Sequence, residues 1–114
     1  MQIILKKRLI MKLGVDIVYI PRIKRLMQNK DFVKKVFHSS ECKLFTPEHL
    51  AGIFASKEAF FKAVNKKTDW LDIEVKKHKS GKPRMNLSNE LEFKVLDVSI
   101  SHDKDYAIAM VLIK

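Results

Sequence analysis

The chain has 114 residues, 46% of them hydrophobic, with 23 Lys and Arg against 13 Asp and Glu. That size allows one core but hardly two, and the apolar fraction excludes a disordered chain. A net charge of +10 calls for an anionic partner (nucleic acid, anionic membrane, polyphosphate ligand or acidic protein) without choosing among them.

Cys42 is the only cysteine, which excludes an internal disulfide and favours a reducing, cytoplasmic setting. "MQIILKKRLI" begins apolar but is cut by Lys6, Lys7 and Arg8, so it lacks the long apolar region of a signal peptide. No uninterrupted apolar run reaches membrane-spanning length. Residues 1–10 are expected to be an extension or an upstream start, with one domain over 11–114. "KLGVDIV" (12–18) alternates as a strand, Leu13, Val15 and Ile17 on one face and Asp16 on the other. Pro21 suits the first turn of a helix through "RIKRLMQN", which carries a basic face. "DFVKKVF" predicts a shorter amphipathic helix, and "SSEC" begins with cap-type residues. Thr46 and Pro47 then read as N-cap and first position of a helix running to about Val64.

Beyond that helix the period changes. "DIEVKKH" predicts a half-buried strand, and "KSGKP" a turn with Gly81 free to take positive φ. "EFKVLDVSISH" alternates, placing Leu96, Val98, Ile100 and His102 on one side. "HDKD" joins it as a hairpin to "YAIAMVLI", an unbroken apolar run of the kind expected for a central strand buried on both faces. The class is α+β: one long helix packed on a mainly antiparallel sheet.

The long helix has an unusual wheel. Leu50, Ile53, Phe54, Phe60, Phe61 and Val64 form a wide stripe interrupted by Lys57, a lysine that either snorkels or points at a ligand. The opposite side, Gly52, Ala55, Ser56, Ala59 and Ala63, is small rather than charged, so a chain segment or a ligand approaches it closely. Glu58 and Lys62 lie at the seam. They form either an ordinary i,i+4 ion pair, worth roughly 0.2–0.5 kcal/mol, or part of a phosphate-handling site. Asp16, set among core residues, needs a partner because desolvating a carboxylate is costly. That partner is an arginine, a helix N-terminus, or a divalent cation shared with Glu58. Two carboxylates with phosphate oxygens and water suit Mg²⁺, which rarely takes an all-protein cage.

Four blocks occur in order: "GVDIVYIPRI", "LAGIFASKEAFFKA", "DIEVKKHKSGKP" and "VSISHDKDYAIAMVLI". Together they resemble the holo-acyl-carrier-protein synthases, small phosphopantetheinyl transferases, over nearly the whole chain from Met11. The resemblance implies Mg²⁺-dependent transfer of 4′-phosphopantetheine from coenzyme A to a serine of apo acyl carrier protein, releasing adenosine 3′,5′-bisphosphate. By the same resemblance Asp16 and Glu58 are metal ligands, Glu58 is also the candidate base, and Lys62 contacts phosphates. The turn Ser80, Gly81, Lys82 and Pro83, with Ser101 and His102, would lie along the coenzyme A adenylate. Arg22, with Arg25 beside it, would dock the acidic carrier protein. The family is typically homotrimeric with active sites at subunit interfaces, and implies neither a nucleic-acid nor a membrane partner. One departure is Ile53, where the family usually carries an arginine; Lys57, Lys66 or Lys67 are the nearby cations expected to compensate. The competing readings are a small basic nucleic-acid-binding module, against which the core-facing aromatics weigh, and a non-catalytic protein of the same fold.

Overall fold

The computed structural model describes residues 10–114. The extension expected over residues 1–10 lies outside the described residues except for Ile10, which is exposed. Strand β1 (Lys12–Tyr19) leads into helices α1 (Ile20–Leu26) and α2 (Lys30–Val36), then a 3-10 turn at Ser39–Cys42. The long helix α3 (Pro47–Val64) follows. After a second 3-10 turn at Trp70–Asp72 come β2 (Ile73–Lys77), β3 (Pro83–Leu87), β4 (Val95–Asp103) and β5 (Tyr106–Ile113). β1, β5 and β4 form one antiparallel sheet with β5 in the centre, and β2 and β3 form a separate hairpin.

The ends of α3 are set by local chemistry. The Thr46 hydroxyl accepts the His49 N–H at 3.2 Å, Pro47 occupies the first turn, and Asn65 closes the helix with φ of 56°. Such a cap is worth about 1 kcal/mol, and asparagine tolerates the left-handed conformation. β4 and β5 meet in a two-residue turn, Lys104–Asp105, with Lys104 at φ 51°. The Asp105 carbonyl accepts the Ile20 N–H at 2.7 Å, which ties the start of α1 to this hairpin. Gly81 takes φ of +89° as its turn requires.

The small face of α3 is where the sheet lies. A Cβ on Gly14 would stand 1.8 Å from the Ala59 carbonyl oxygen and 2.9 Å from the Ala63 nitrogen. One on Gly52 would meet Ile100 Cγ2 at 3.1 Å and His102 Nε2 at 3.2 Å. The close approach expected of that face is therefore made by β1 and β4. The large stripe packs on the other side, where Phe54 stacks on Trp70 at 5.0 Å between ring centres and Phe61 meets the same indole edge-on.

Three expectations are corrected here. β5 is central but is not buried on both faces: Ala107, Ala109, Val111 and Ile113 are inside, whereas Tyr106, Ile108 and Met110 are exposed. On β1 the apolar residues Leu13, Val15 and Ile17 likewise face outward, while Gly14, Asp16 and Val18 face the helix. Helix α3 is almost wholly buried and needs the small side of the strand, so the large apolar side chains are left on the open face. Third, Leu96 falls at a register shift between Val95 and Asp97 and is exposed, leaving Val98, Ile100 and His102 as the inner row.

Candidate active site

The first cluster is built by β1 and α3. Because Gly14 lets the strand touch the helix backbone, the next inward residue, Asp16, reaches the helix edge. Its Oδ1 accepts a hydrogen bond from Lys62 Nζ at 2.9 Å, and its side chain is only 13% exposed. Glu58 stands one turn before Lys62, half-buried on the same edge; that spacing sets Cβ atoms about 5–6 Å apart. The i,i+4 pairing of Glu58 with Lys62 is not what forms: Lys62 is taken by Asp16. Two carboxylates and an ammonium, from segments far apart in the chain, thus share one edge of α3. Among the described residues no group of three or more His, Cys, Asp or Glu could hold a metal ion. A closed protein cage is therefore not available here, whereas an ion that takes most of its ligands from phosphate and water fits two acids.

The second cluster is a cavity of about 590 Å³ between the 40–44 segment, α3, the β2–β3 hairpin and β4. Gly81, Pro83 and His102 line it, as do Lys43, Lys76, Lys77 and His49. His102 Nε2 hydrogen-bonds the Glu48 carbonyl at 2.9 Å, at the N-terminal end of α3. Burial, then the Lys77 charge, draw His49 below the usual imidazole range against an opposing pull from Glu41. Glu41, the single carboxylate on the wall, is bonded to a buried lysine. The cavity is accordingly cationic with apolar walls.

The predicted residues divide between these places. Asp16, Glu58 and Lys62 form the acid cluster and do not line the cavity. Ser80 is in the turn, where its hydroxyl lies 3.4 Å from His78 Nδ1. Lys82 turns away to Asp97, at 2.8 Å, holding that carboxyl below its ordinary range. Ser101 sits on the open face of β4, opposite His102. Arg22 and Arg25 are both exposed on α1, with the Arg22 guanidinium 5.5 Å from the centre of the Phe54 ring.

Lys57 neither snorkels nor points at a ligand: its ammonium is fully buried against Glu41 at 2.8 Å. The cations at the cavity are not Lys57, Lys66 or Lys67, the last of which lies over Trp70 at 4.7 Å. They are Lys43, Lys76 and Lys77, and Ile53 forms an apolar part of the same wall. Sequence reasoning missed Glu41, His49 and these three lysines. One signal was available for Glu41. A lysine inside an apolar helical stripe demands a buried acid, and an acid followed by Cys42 in a cap-type segment is a candidate.

Comparison with known proteins shows the family. The model of the 4′-phosphopantetheinyl transferase superfamily matches residues 12–111, a span that takes in both clusters, and the chain belongs to that superfamily. The holo-acyl-carrier-protein synthase of Caldicellulosiruptor bescii is 37% identical over 118 positions, covering 91% of this chain and 98% of its own. That of Geobacillus sp. strain WCH70 is 38% identical, covering 93% and 98%. The crystal structure of Helicobacter pylori holo-acyl-carrier-protein synthase in complex with coenzyme A matches with a TM-score of 0.81 at 34% identity, over 90% of this chain and 99% of that one. Within the superfamily it is these holo-acyl-carrier-protein synthases that the chain is similar to.

Proposed function

We propose that the protein transfers 4′-phosphopantetheine from coenzyme A to a serine hydroxyl of apo acyl carrier protein, with Mg²⁺ as cofactor. The observation that carries this is the meeting of Asp16 with Lys62, beside Glu58, on the edge of a helix that β1 touches through Gly14. Such phosphoryl transfer is mainly positioning and electrostatic stabilisation, so a site of two acids, one ammonium and a cationic cavity is the equipment it needs.

The serine oxygen attacks the phosphorus next to pantetheine, forming a new P–O bond. The bond from that phosphorus to the bridging oxygen breaks, and adenosine 3′,5′-bisphosphate leaves with the electron pair. Glu58, directly or through a water, takes the serine proton. Asp16 and Glu58 would hold Mg²⁺, which when bound neutralises charge on the pyrophosphate oxygens. Lys62 adds a positive charge at the same edge and, through its bond, orients Asp16. His102, Gly81 and Pro83, with Lys43, Lys76 and Lys77, line the cavity that receives the adenylate and its phosphate. Ile53 leaves that task to these lysines.

The acid cluster and the cavity are separate on one chain. We place them together in a homotrimer, an assembly that would also cover the open apolar face of the sheet. That face exposes Leu13, Val15, Ile17, Tyr106, Ile108 and Met110, each 39–60% accessible; isolated domains seldom leave so contiguous an apolar patch. The carrier protein would approach the basic α1, where Arg22 and Arg25 are exposed, steered by charge. Among the described residues no helix is long and apolar enough to cross a membrane, and we assign the protein to the cytoplasm.

Incubation with coenzyme A, Mg²⁺ and an apo carrier protein is the test. The expected result is a carrier heavier by one phosphopantetheine group, in a reaction that chelation stops. No mass gain under any divalent cation overturns the reading.

A further inference from the structure

At the junction of three elements lies an ion pair that the chemistry above does not use. Lys57 Nζ and Glu41 Oε1 are 2.8 Å apart, and neither side chain has any exposure. Lys57 Nζ also donates to the Val36 carbonyl at 2.7 Å and lies 5.7 Å from the centre of the Phe37 ring. Glu41 Oε1 accepts the His38 N–H and Oε2 the Val75 N–H, each at 2.8 Å. One carboxylate thus joins α3, the 38–42 turn and β2. A further bond from the Ser40 hydroxyl to Glu74 ties the same turn to β2.

Stability does not account for the arrangement. A buried ion pair is commonly no more stable than apolar side chains of the same volume, and burial draws Lys57 below the ordinary lysine range against the pull of Glu41. What the pair has, and an apolar pair lacks, is direction. Its bonds set how the 38–42 turn and β2 stand relative to α3, and these are the segments that bring Lys43, Lys76 and Lys77 to the cavity.

We infer that Glu41 and Lys57 are a positioning pair for coenzyme A: they hold the cavity's cations at the spacing its nucleotide phosphate needs, without touching a reacting atom. The inference rests on the coenzyme A reading of the cavity. The acid cluster is held by different packing, Gly14 against Ala59, so loss of the pair belongs to binding and not to the chemical step.

The test is the double variant Glu41→Leu, Lys57→Met, which removes both charges at similar volume and leaves no charge stranded. Unfolding remains cooperative, the KM for coenzyme A rises about tenfold or more, and kcat stays within about threefold. Titration with adenosine 3′,5′-bisphosphate, which needs no turnover, shows the same loss of affinity. Glu41→Gln with Lys57→Met keeps an oxygen for one backbone N–H and falls between, weakened about threefold. Wild-type KM and affinity in the leucine variant overturn the inference, as does a fall in kcat matching the rise in KM. Should the leucine variant fail to fold, unchanged affinity in the glutamine variant overturns it equally. Wild type inactive on coenzyme A removes the functional reading; wild type active beside an unaffected double variant removes this inference alone.

Discussion

Lys62 donates to Asp16 across 46 positions of sequence and does not pair with Glu58, one turn behind it on the same helix. The bond orients one acid and, on the proposed reading, leaves Glu58 to act on the substrate. Lys62 is 57% exposed, so breaking the pair costs under about 1 kcal/mol of stability. Asp16→Ala and Glu58→Ala are each expected to lower transfer at least about a hundredfold while the thermal midpoint moves by a few degrees. Unchanged turnover in either, measured by mass spectrometry of the carrier protein, removes that residue from the metal site.

Gly14→Ala addresses the architecture beneath that bond. The added carbon would overlap the Ala59 carbonyl at 1.8 Å, and backbone, unlike a side chain, has no rotamer by which to give way. Overpacking of this kind costs about 1–3 kcal/mol, and each kcal/mol lowers the midpoint by roughly 4–8 °C. Transfer activity falls with it, because β1 can no longer bring Asp16 to the helix edge. A variant with wild-type midpoint and wild-type rate contradicts this account.

Arg22→Ala is expected to raise the KM for carrier protein severalfold and to flatten its dependence on ionic strength, since the exposed charge acts by steering. The KM for coenzyme A is unchanged, because Arg22 lies over Phe54 on α1 and not at the cavity. Equal loss toward both substrates argues against a docking role.

The open sheet face yields a solution measurement. Sedimentation of the wild-type protein is expected to give three times the chain mass. Ile17→Lys and Met110→Lys, on exposed positions of that face, are expected to give monomers with an unchanged circular dichroism spectrum. Transfer then falls with the trimer, because the acid cluster and the cavity part company. A fully active monomer refutes the shared site.

Stability has two acid limbs. His49 has a folded pKa below its unfolded value of about 6.5, owing to burial and the Lys77 charge. The unfolded chain therefore binds more protons at this group, and its contribution to stability is complete above that value and lost as pH falls through the folded one. Glu74 is held low by the Ser40 hydrogen bond, so its contribution is present above about 4.3 and lost as pH falls below it. Urea midpoints from pH 7.5 to 3 should fall in two stages. His49→Gln flattens the first and Ser40→Ala the second; a variant that leaves its own stage intact refutes that assignment.

Much of the molecule could be read from residue order because the causes are local. Thr46 and Pro47 start α3, Asn65 follows its last turn, Gly81 permits a positive φ, and the alternation from Val98 to His102 marks β4. Its small face announced a close neighbour, although not which strand. β3 is hidden although "PRMNL" alternates, with Pro83, Met85 and Leu87 inward and Arg84 and Asn86 exposed, because five residues opened by a proline read as the end of the preceding turn. The open faces of β1 and β5 are not legible for two other reasons: the unbroken apolar run of β5 hides which residues lie inside, whereas β1 does alternate. Alternation tells which residues share a side, but not which side meets the helix.

By itself the sequence determined most of the elements, several of their ends and the four family blocks, since capping, turn geometry and periodicity act over a few neighbouring residues. Only the tertiary structure decided the partners. Asp16 found Lys62, Lys57 found Glu41, and Lys43, Lys76 and Lys77 came to stand around one cavity. Those pairings are long-range because burial of α3 against the sheet sets which charges must satisfy each other, and no local rule carries that information.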